Sequence, residues 1–198
     1  MPLPAFSRGQ PRGGGYDLKT TKRGWLVGVM ALIVATSTIG GMAANGSWPR
    51  SRVTAEGGVL PGEVQEMVLE ALAGPEGEHA AYATYSAIID TYGEVNPFTN
   101  IMESEAYHIE ALTSILDAYD VSYPGENPYL GAIEVPESLA AAAQAGVDAE
   151  LANVDLYQRQ LEAVSDYPEI YNVFVSLQSA SLNQHLPAFE RAVERYGS

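Results

Sequence analysis

Apolar residues recur at spacings of three and four through most of residues 62–196, and no strand-like alternation of any length appears. This spacing places them along one side of an α-helix, so the pattern predicts an all-α fold. Gly and Pro residues divide the stretch into a short helix at Gly62–Ala73 and four longer helices. We expect the longer helices at Glu76–Tyr92, Pro97–Tyr119, Pro136–Val164 and Asp166–Tyr196.

The lengths of the connections constrain how the four longer helices are arranged. Short connections join the first helix to the second and the third to the fourth, so each pair is predicted to be an antiparallel hairpin. A Pro- and Gly-rich stretch from Asp120 to Val135 separates the hairpins. At about 3.3 Å per residue it can reach about 50 Å, enough to run the length of a bundle. Two hairpins joined by one long crossover are the ferritin-like four-helix bundle, which we predict for residues 62–198.

Several ionisable side chains fall on the apolar stripes of these helices. In the second long helix, Glu105 and His108 lie on the same stripe as Ile101 and Leu112. Glu78, Glu150 and His185 occupy the equivalent stripes of the other three helices. An ionised carboxylate buried alone costs several kcal/mol, so such groups are paired, protonated or bound to a metal. We therefore expect these five side chains to meet inside the bundle.

The two hairpins look like degenerate copies of one another. Glu78 is followed by Tyr85, and Glu150 by Tyr157, at the same seven-residue spacing, and each of these helices precedes one with an inward histidine. A pseudo-twofold metal site would need such a repeat. The copies differ, because Leu182 stands three residues before the second histidine, where a symmetric site would place a second Glu. Pro187 also predicts a kink beside that histidine, since it cannot donate a hydrogen bond within the helix.

The stretch Asn96–Leu112, NPFTNIMESEAYHIEAL, resembles a ferritin-like family of uncharacterised proteins, domain of unknown function 2202 (DUF2202), which carries a similar P-x-F-x-N-I-x-x-S-E-x-x-H run. Looser similarity extends the resemblance over about Leu60–Tyr196. The looser segments are Glu76–Tyr85, Ser138–Gly146, Asp166–Ile170 and His185–Phe189. The chain departs from the family pattern at Gly77 and His79, which stand where Glu and Lys are usual, and Asn153 replaces a common acidic residue.

The resemblance implies a ferritin-like bundle with a metal site. Carried over residue by residue, the candidate metal ligands are Glu78, Glu105, His108, Glu150 and His185. Tyrosines on the same helices, Tyr82, Tyr85 and Tyr157, are candidate hydrogen-bond donors to the carboxylates. Because Leu182 removes a second bridging carboxylate, a single-metal or asymmetric site is expected rather than a full di-iron centre.

Composition narrows the kind of metal. The chain contains no cysteine, which excludes disulfides, Fe–S clusters and thiol nucleophiles. Carboxylate and imidazole ligands suit Fe, Mn or Zn, and their placement on helices favours one or two ions of Fe or Mn. Oxidase, peroxidase and metal-handling activities all remain open, and so does enzyme status. The alternatives are a metal-free structural or interaction module at the cell surface and, less favoured, a ligand-binding bundle lined by tyrosines.

Charge and hydropathy differ sharply along the chain. Residues 1–24 form a basic, Gly-rich tail, and residues 25–44 are a twenty-residue segment without charge. Such a segment is either a transmembrane anchor or a cleaved signal peptide. Both place the following domain outside the cytoplasm, after a linker at residues 45–61. Residues 45–198 carry 24 carboxylates against five arginines, which disfavours nucleic acid as a partner. The expected partners are metal ions, the membrane through residues 25–44, and a second copy of the chain in a homodimer.

Overall fold

The computed structural model of the chain describes residues 58–198, and this part is all-helical, without a β-strand. The helices are α1 (Gly62–Ala73), α2 (Glu78–Tyr92), α3 (Phe98–Ala118), α4 (Leu139–Gln160), α5 (Pro168–Ala180) and α6 (Leu186–Tyr196), with one π-helical turn at Ser181–His185 between α5 and α6. The predicted basic tail, the hydrophobic segment at residues 25–44 and most of the predicted linker lie outside the described residues. Among residues 58–198, every helix is too short or too polar to cross a bilayer.

Three helix starts lie further along the chain than the apolar spacing predicts, each by two or three residues. Helix α2 begins after Gly77, where a Cβ would come within 2.4 Å of the carbonyl oxygen of Ala71, so this glycine is packed against α1. Helix α4 begins after Ser138, whose side chain accepts a hydrogen bond from the backbone N–H of Ala141. Serine is a preferred N-cap residue because it satisfies one of the unpaired N–H groups of the first turn.

Contacts between side chains fix the directions of the helices. Along α2 and α3, Glu78 meets His108 and Tyr85 meets Phe98, so the two helices run antiparallel. Helix α4 pairs in the same way with the continuous helix formed by α5, the π-helical turn and α6. Gln178 contacts Val154, and His185, further along the chain, contacts Glu150, which comes earlier in α4. The helices of each predicted hairpin therefore run antiparallel in the structure, as the short connections predict.

Residues 119–138 form the long crossover between the hairpins. Asn127 donates a hydrogen bond to the backbone carbonyl of His79 at the start of α2, and Tyr92 at the end of α2 donates to the carbonyl of Pro136. The crossover therefore runs along the whole of α2. Tyr85 of α2 contacts Glu150 and Glu78 of α2 contacts Tyr157, so α2 and α4 are antiparallel, and α3 and α4 are parallel as the long crossover requires.

The fourth long helix is continuous from Pro168 to Tyr196 but is not regular. Its π-helical turn ends at His185, two residues before Pro187. Because Pro187 has no N–H to donate to the carbonyl of Asn183, an α-helical turn would leave that carbonyl without its usual partner. The predicted irregularity beside His185 is present as this wider turn.

The core has two apolar halves on either side of the bundle's centre. The first is built around α1 and the ends of α3, α4 and α5, with Leu112, Ile115 and Phe174 fully buried. The second contains three aromatic rings, Tyr85, Phe98 and Phe189, whose centroids lie 5.1 to 6.2 Å apart. The polar side chains of the candidate site lie on the same buried helix faces as these two clusters, so apolar side chains cover them on both of these sides.

Candidate metal centre

All five predicted ligand side chains are buried and come together inside the bundle. None of them is more than 3% exposed. They come from four separate helical segments: Glu78 from α2, Glu105 and His108 from α3, Glu150 from α4, and His185 from the π-helical turn. The inward orientation predicted from the apolar stripes is therefore present at every one of the five positions.

Glu105 lies at the centre of the cluster and contacts both histidines. The Nδ1 atom of His108 is 2.7 Å from one carboxylate oxygen of Glu105 and 3.2 Å from Glu78. The Nδ1 atom of His185 is 3.1 Å from the other oxygen of Glu105 and 3.3 Å from Glu150. The five residues thus form two overlapping groups of three, in each of which the ligand atoms lie within 4.8 Å of one another. Glu105 belongs to both groups.

The contacts of Glu105 are short but do not have hydrogen-bond geometry. Both of its carboxylate oxygens are buried, and neither has a hydrogen-bond partner in the part of the chain that the structure describes. Burying a carboxylate costs free energy, which here is offset by the two facing imidazoles or by a cation bound among them. The convergence of these oxygen and nitrogen donors could hold a metal ion.

Two tyrosines donate hydrogen bonds to Glu78 and Glu150, the outer glutamates on either side of Glu105. Each tyrosine lies on the opposite hairpin from the glutamate it contacts. The hydroxyl of Tyr85 on α2 donates to Glu150 at 2.7 Å, and the hydroxyl of Tyr157 on α4 donates to Glu78 at 2.5 Å. Each outer glutamate therefore receives one tyrosine hydroxyl and faces one histidine Nδ1. The seven-residue spacing of Glu and Tyr in the sequence corresponds to this reciprocal pair. Tyr82, the third predicted donor, is only half-buried, and no hydrogen bond joins it to the cluster within residues 58–198.

Ser104 is part of the cluster although the sequence interpretation did not select it. Its hydroxyl lies 3.3 Å from Nε2 of His108 and 3.1 Å from Nε2 of His185. The two imidazole rings are stacked, with centroids 5.5 Å apart. The signal was available in the sequence, because Ser104 stands one helical turn before His108, at the spacing that brings side chains onto one face.

The structure corrects the predicted role of Leu182. This residue does not face the site and is 45% exposed, because the π-helical turn rotates the positions before His185. The inward position is Ser181, whose hydroxyl donates to the side-chain oxygen of Asn153 at 2.8 Å. Asn153 in turn donates to Glu78 at 3.2 Å. Neutral hydroxyl and amide groups of the second hairpin therefore stand beside Glu78, where a symmetric centre would have a carboxylate.

His79 is buried but belongs to neither group of candidate ligands. It follows Glu78 directly, so its side chain leaves the helix about 100° away from that of its neighbour. Burial lowers the pKa of His79, and this outweighs the opposing influence of Glu78. Adjacency in the sequence therefore does not make this third histidine a ligand.

The ionisable groups of the metal-free cluster influence one another strongly. Burial raises the pKa of Glu105 to about 7, with His108 opposing and Glu78 adding to the effect. Burial would lower the pKa of both histidines, but the surrounding carboxylates outweigh it, so the pKa rises to about 10 for His108 and to about 9 for His185. Burial would raise the pKa of Glu78, but the charge and hydrogen bond of His108 lower it to about 2.

Comparisons with known proteins support the fold. No family model matches the chain, and no curated protein matches it. Hypothetical protein MJ0754 from Methanococcus jannaschii DSM 2661 has a similar structure, with a TM-score of 0.63 and 24% identity over 73% of this chain and 87% of that chain. At this level of identity the similarity supports the all-helical fold alone. The resemblance to DUF2202 proteins stays a prediction.

We expect the metal-free protein to lose stability as the pH rises from about 5 to about 9. The folded-state pKa of Glu105, about 7, lies above its ordinary value of 4.5, so folding favours the protonated acid and this advantage is lost as the pH rises through 7. The raised pKa values of His108 and His185 give a contribution that is complete below 6.5 and is lost as the pH rises through 9 to 10. Urea unfolding of chelator-treated protein at about pH 5, 7 and 9 measures the slope.

Glu105→Gln is the matched control for this pH dependence, because it keeps the size of the side chain and removes its titration. The variant is expected to lose the part of the slope between about pH 5 and 7 and to weaken the part above it, because the charge of Glu105 helps to raise the pKa of both histidines. A metal-free wild type whose free energy of unfolding stays constant or increases from about pH 5 to 9 would contradict the proton positions inferred here.

Proposed function

We propose that this chain is an extracytoplasmic, ferritin-like metal-binding protein that holds Fe or Mn between the carboxylates and histidines of its bundle. The observation that carries the proposal is the buried Glu105, which has no hydrogen-bond partner among residues 58–198 and lies among two imidazole nitrogens and two further carboxylates. A metal ion is the partner that satisfies such a convergent set of oxygen and nitrogen donors at once. The ferritin-like assignment is supported by the parallel α3 and α4 and the long crossover between them.

The donor set favours either a single ion or two ions that are bound with different affinities. The first group of three, Glu78, Glu105 and His108, and the second, Glu105, Glu150 and His185, share a carboxylate that could bridge two ions. Asn153 and Ser181 stand beside the cluster without adding negative charge. Three glutamates balance the charge of two divalent ions only in part, which supports a single ion or two ions of different affinity. Such ions, when bound, would supply Lewis acidity and one-electron redox chemistry.

The surrounding residues have separable roles in this proposal. His108 and His185 would bind through Nδ1, so each would carry its remaining proton on Nε2. The oxygen of Ser104 has two lone pairs and is placed to accept from both Nε2–H groups. Tyr85 and Tyr157 would fix the orientation of the outer carboxylates through their hydroxyl hydrogen bonds.

A metal-free structural or interaction module is the second candidate. The observation that favours it is the set of contacts between each histidine Nδ1 and two carboxylates, which can act as ion pairs in the absence of metal. Buried ion pairs of this kind are retained in some proteins for structural specificity. In that case Glu105 would be held by protonated histidines, and the bundle would act through its surface.

The location and assembly of the protein are further parts of the proposal. The uncharged segment at residues 25–44 and its basic flank support a membrane anchor or an export signal, with the acidic domain outside the cytoplasm. A homodimer is a further part of the proposal. Oxidase, peroxidase and metal-handling activities are all consistent with the donor set, and each would use the same five side chains.

Removal of a central ligand is expected to abolish most of the metal binding. Protein isolated without chelators should contain about one to two equivalents of Fe or Mn, and Glu105→Ala or His108→Ala should lower this content by about tenfold, because the remaining donors cannot replace a lost ligand. Elemental analysis measures the content. Glu103→Ala, an exposed carboxylate on the same helix, is the matched control and should bind as the wild type does. Wild-type protein with less than about 0.1 equivalent would favour the metal-free module.

Ser104→Ala is expected to weaken Mn(II) binding by about tenfold to a hundredfold while leaving the five ligands in place. The reason is that both histidines lose the acceptor that holds their Nε2 protons. Titration with Mn(II), followed by the disappearance of the free ion's paramagnetic resonance signal, gives the dissociation constants. Ser114→Ala, an exposed serine on the same helix, should match the wild type. Equal affinities in the two variants would show that Ser104 does not act through the histidines.

A further inference from the structure

A narrow cleft between α2 and α4 leads from the surface to the buried cluster. At its outer end are Pro75 and Glu76, both exposed, and at its inner end are Glu105 and Glu150, both buried. Its walls are made mostly of small residues: Gly77, Ala80, Ala81, Thr84, Ala149 and Ala152. The cleft has a volume of about 90 Å³. It therefore connects solvent to the carboxylates of the second group of candidate ligands.

Small side chains keep this side of the bundle open, whereas aromatic rings close two other sides. Tyr85 and Phe98 fill the space between α2 and α3, with ring centroids 6.2 Å apart. Phe189 of α6 packs so closely on α4 that a Cβ at Gly146 would lie 2.6 Å from its ring. The alanines that face each other across the cleft have no comparable bulk. Of these three helix pairs, α2 with α3, α4 with α6 and α2 with α4, the last leaves the most open path to the cluster.

The inner end of the cleft has the chemistry to receive a cation. Glu105 lines it with two carboxylate oxygens that are buried and have no hydrogen-bond partner among residues 58–198. At the outer end the carboxylate of Glu76 is paired with Arg159 at 2.7 Å. Arg159 therefore compensates the carboxylate at the opening of the cleft, whereas Glu105 at its bottom faces the Nδ1 atoms of two histidines, whose protons an incoming cation displaces.

The chemistry at the inner end of the cleft determines the form in which a cation is held there. Glu105 and Glu150 line this end, and their carboxylate oxygens are the donors that replace water ligands of a divalent ion. An ion that reaches the cluster has therefore lost part of its hydration shell.

We propose that the cleft between α2 and α4 is the access route by which a partly dehydrated divalent cation reaches and leaves the buried cluster. This inference rests on the proposed metal-binding function and adds to it a route and a form of the ion. Substitutions in the wall change how fast the ion moves but not how tightly it is finally held. A route affects the forward and reverse rates equally, whereas a ligand changes the equilibrium.

Ala80→Leu and Ala149→Leu, one on each wall, test the route in the 198-residue chain. Each is expected to slow both Mn(II) uptake and Mn(II) release into excess EDTA by about tenfold or more, equivalent to about 1.4 kcal/mol on the barrier. The dissociation constant should change by less than about threefold, equivalent to about 0.6 kcal/mol. Thr84→Ala, which widens the cleft without adding bulk, should speed both rates and keeps the test available if a leucine variant does not fold.

Matched controls come from alanines of similar exposure that do not line the cleft. Ala87→Leu on α2 and Ala145→Leu on α4 should leave both rates within about twofold of the wild type. Unchanged rates in all three cleft variants, with normal wild-type binding, would overturn the route and leave the metal site intact. A changed dissociation constant at an unchanged uptake rate would also overturn it. Wild type that binds no Mn(II) would overturn the route together with the proposed function.

Discussion

The structure depends on one electrostatic constraint, the removal of three carboxylates and two imidazoles from water at the centre of a helical bundle. Groups of this kind are stable inside a protein only if each finds a compensating partner. The outer glutamates, Glu78 and Glu150, find tyrosine hydroxyls, and the histidines find carboxylates. Glu105 finds no hydrogen-bond partner within the described residues. It faces the Nδ1 atoms of both histidines instead, and the chemistry proposed for the protein follows from this shared carboxylate.

The same polar groups also tie the two hairpins together. Tyr85 of the first hairpin holds a carboxylate of the second, Tyr157 of the second holds a carboxylate of the first, and Ser104 contacts His185 across the bundle. Each of these bonds is buried or partly buried and joins residues more than sixty positions apart. A bound ion would add a further link between the hairpins. The cluster therefore connects the packing of the fold to its chemistry, because loss of one ligand would remove a cross-link as well as a donor.

Much of this arrangement could be predicted because it depends on periodicity and spacing. The bounds of α1 agree with the predicted helix, and the five inward ionisable groups follow from their place on apolar stripes. The role of Leu182 could not be predicted in this way. A stripe assumes a constant helical pitch, and the π-helical turn before Pro187 changes that pitch over five residues. Ser104 was missed for another reason: a helical serine usually hydrogen-bonds to its own backbone, so its one-turn spacing from His108 did not by itself indicate a role in the cluster.

Anomalous X-ray scattering from crystals grown with Mn(II) tests the central claim most directly, because it places the ion without reference to activity. The account predicts an anomalous peak inside the bundle, between the carboxylate of Glu105 and the Nδ1 atom of His108 or His185. A second, weaker peak in the other group of three would agree with unequal sites. Peaks confined to surface carboxylates, with Glu105 hydrogen-bonded to protonated histidines, would contradict the account.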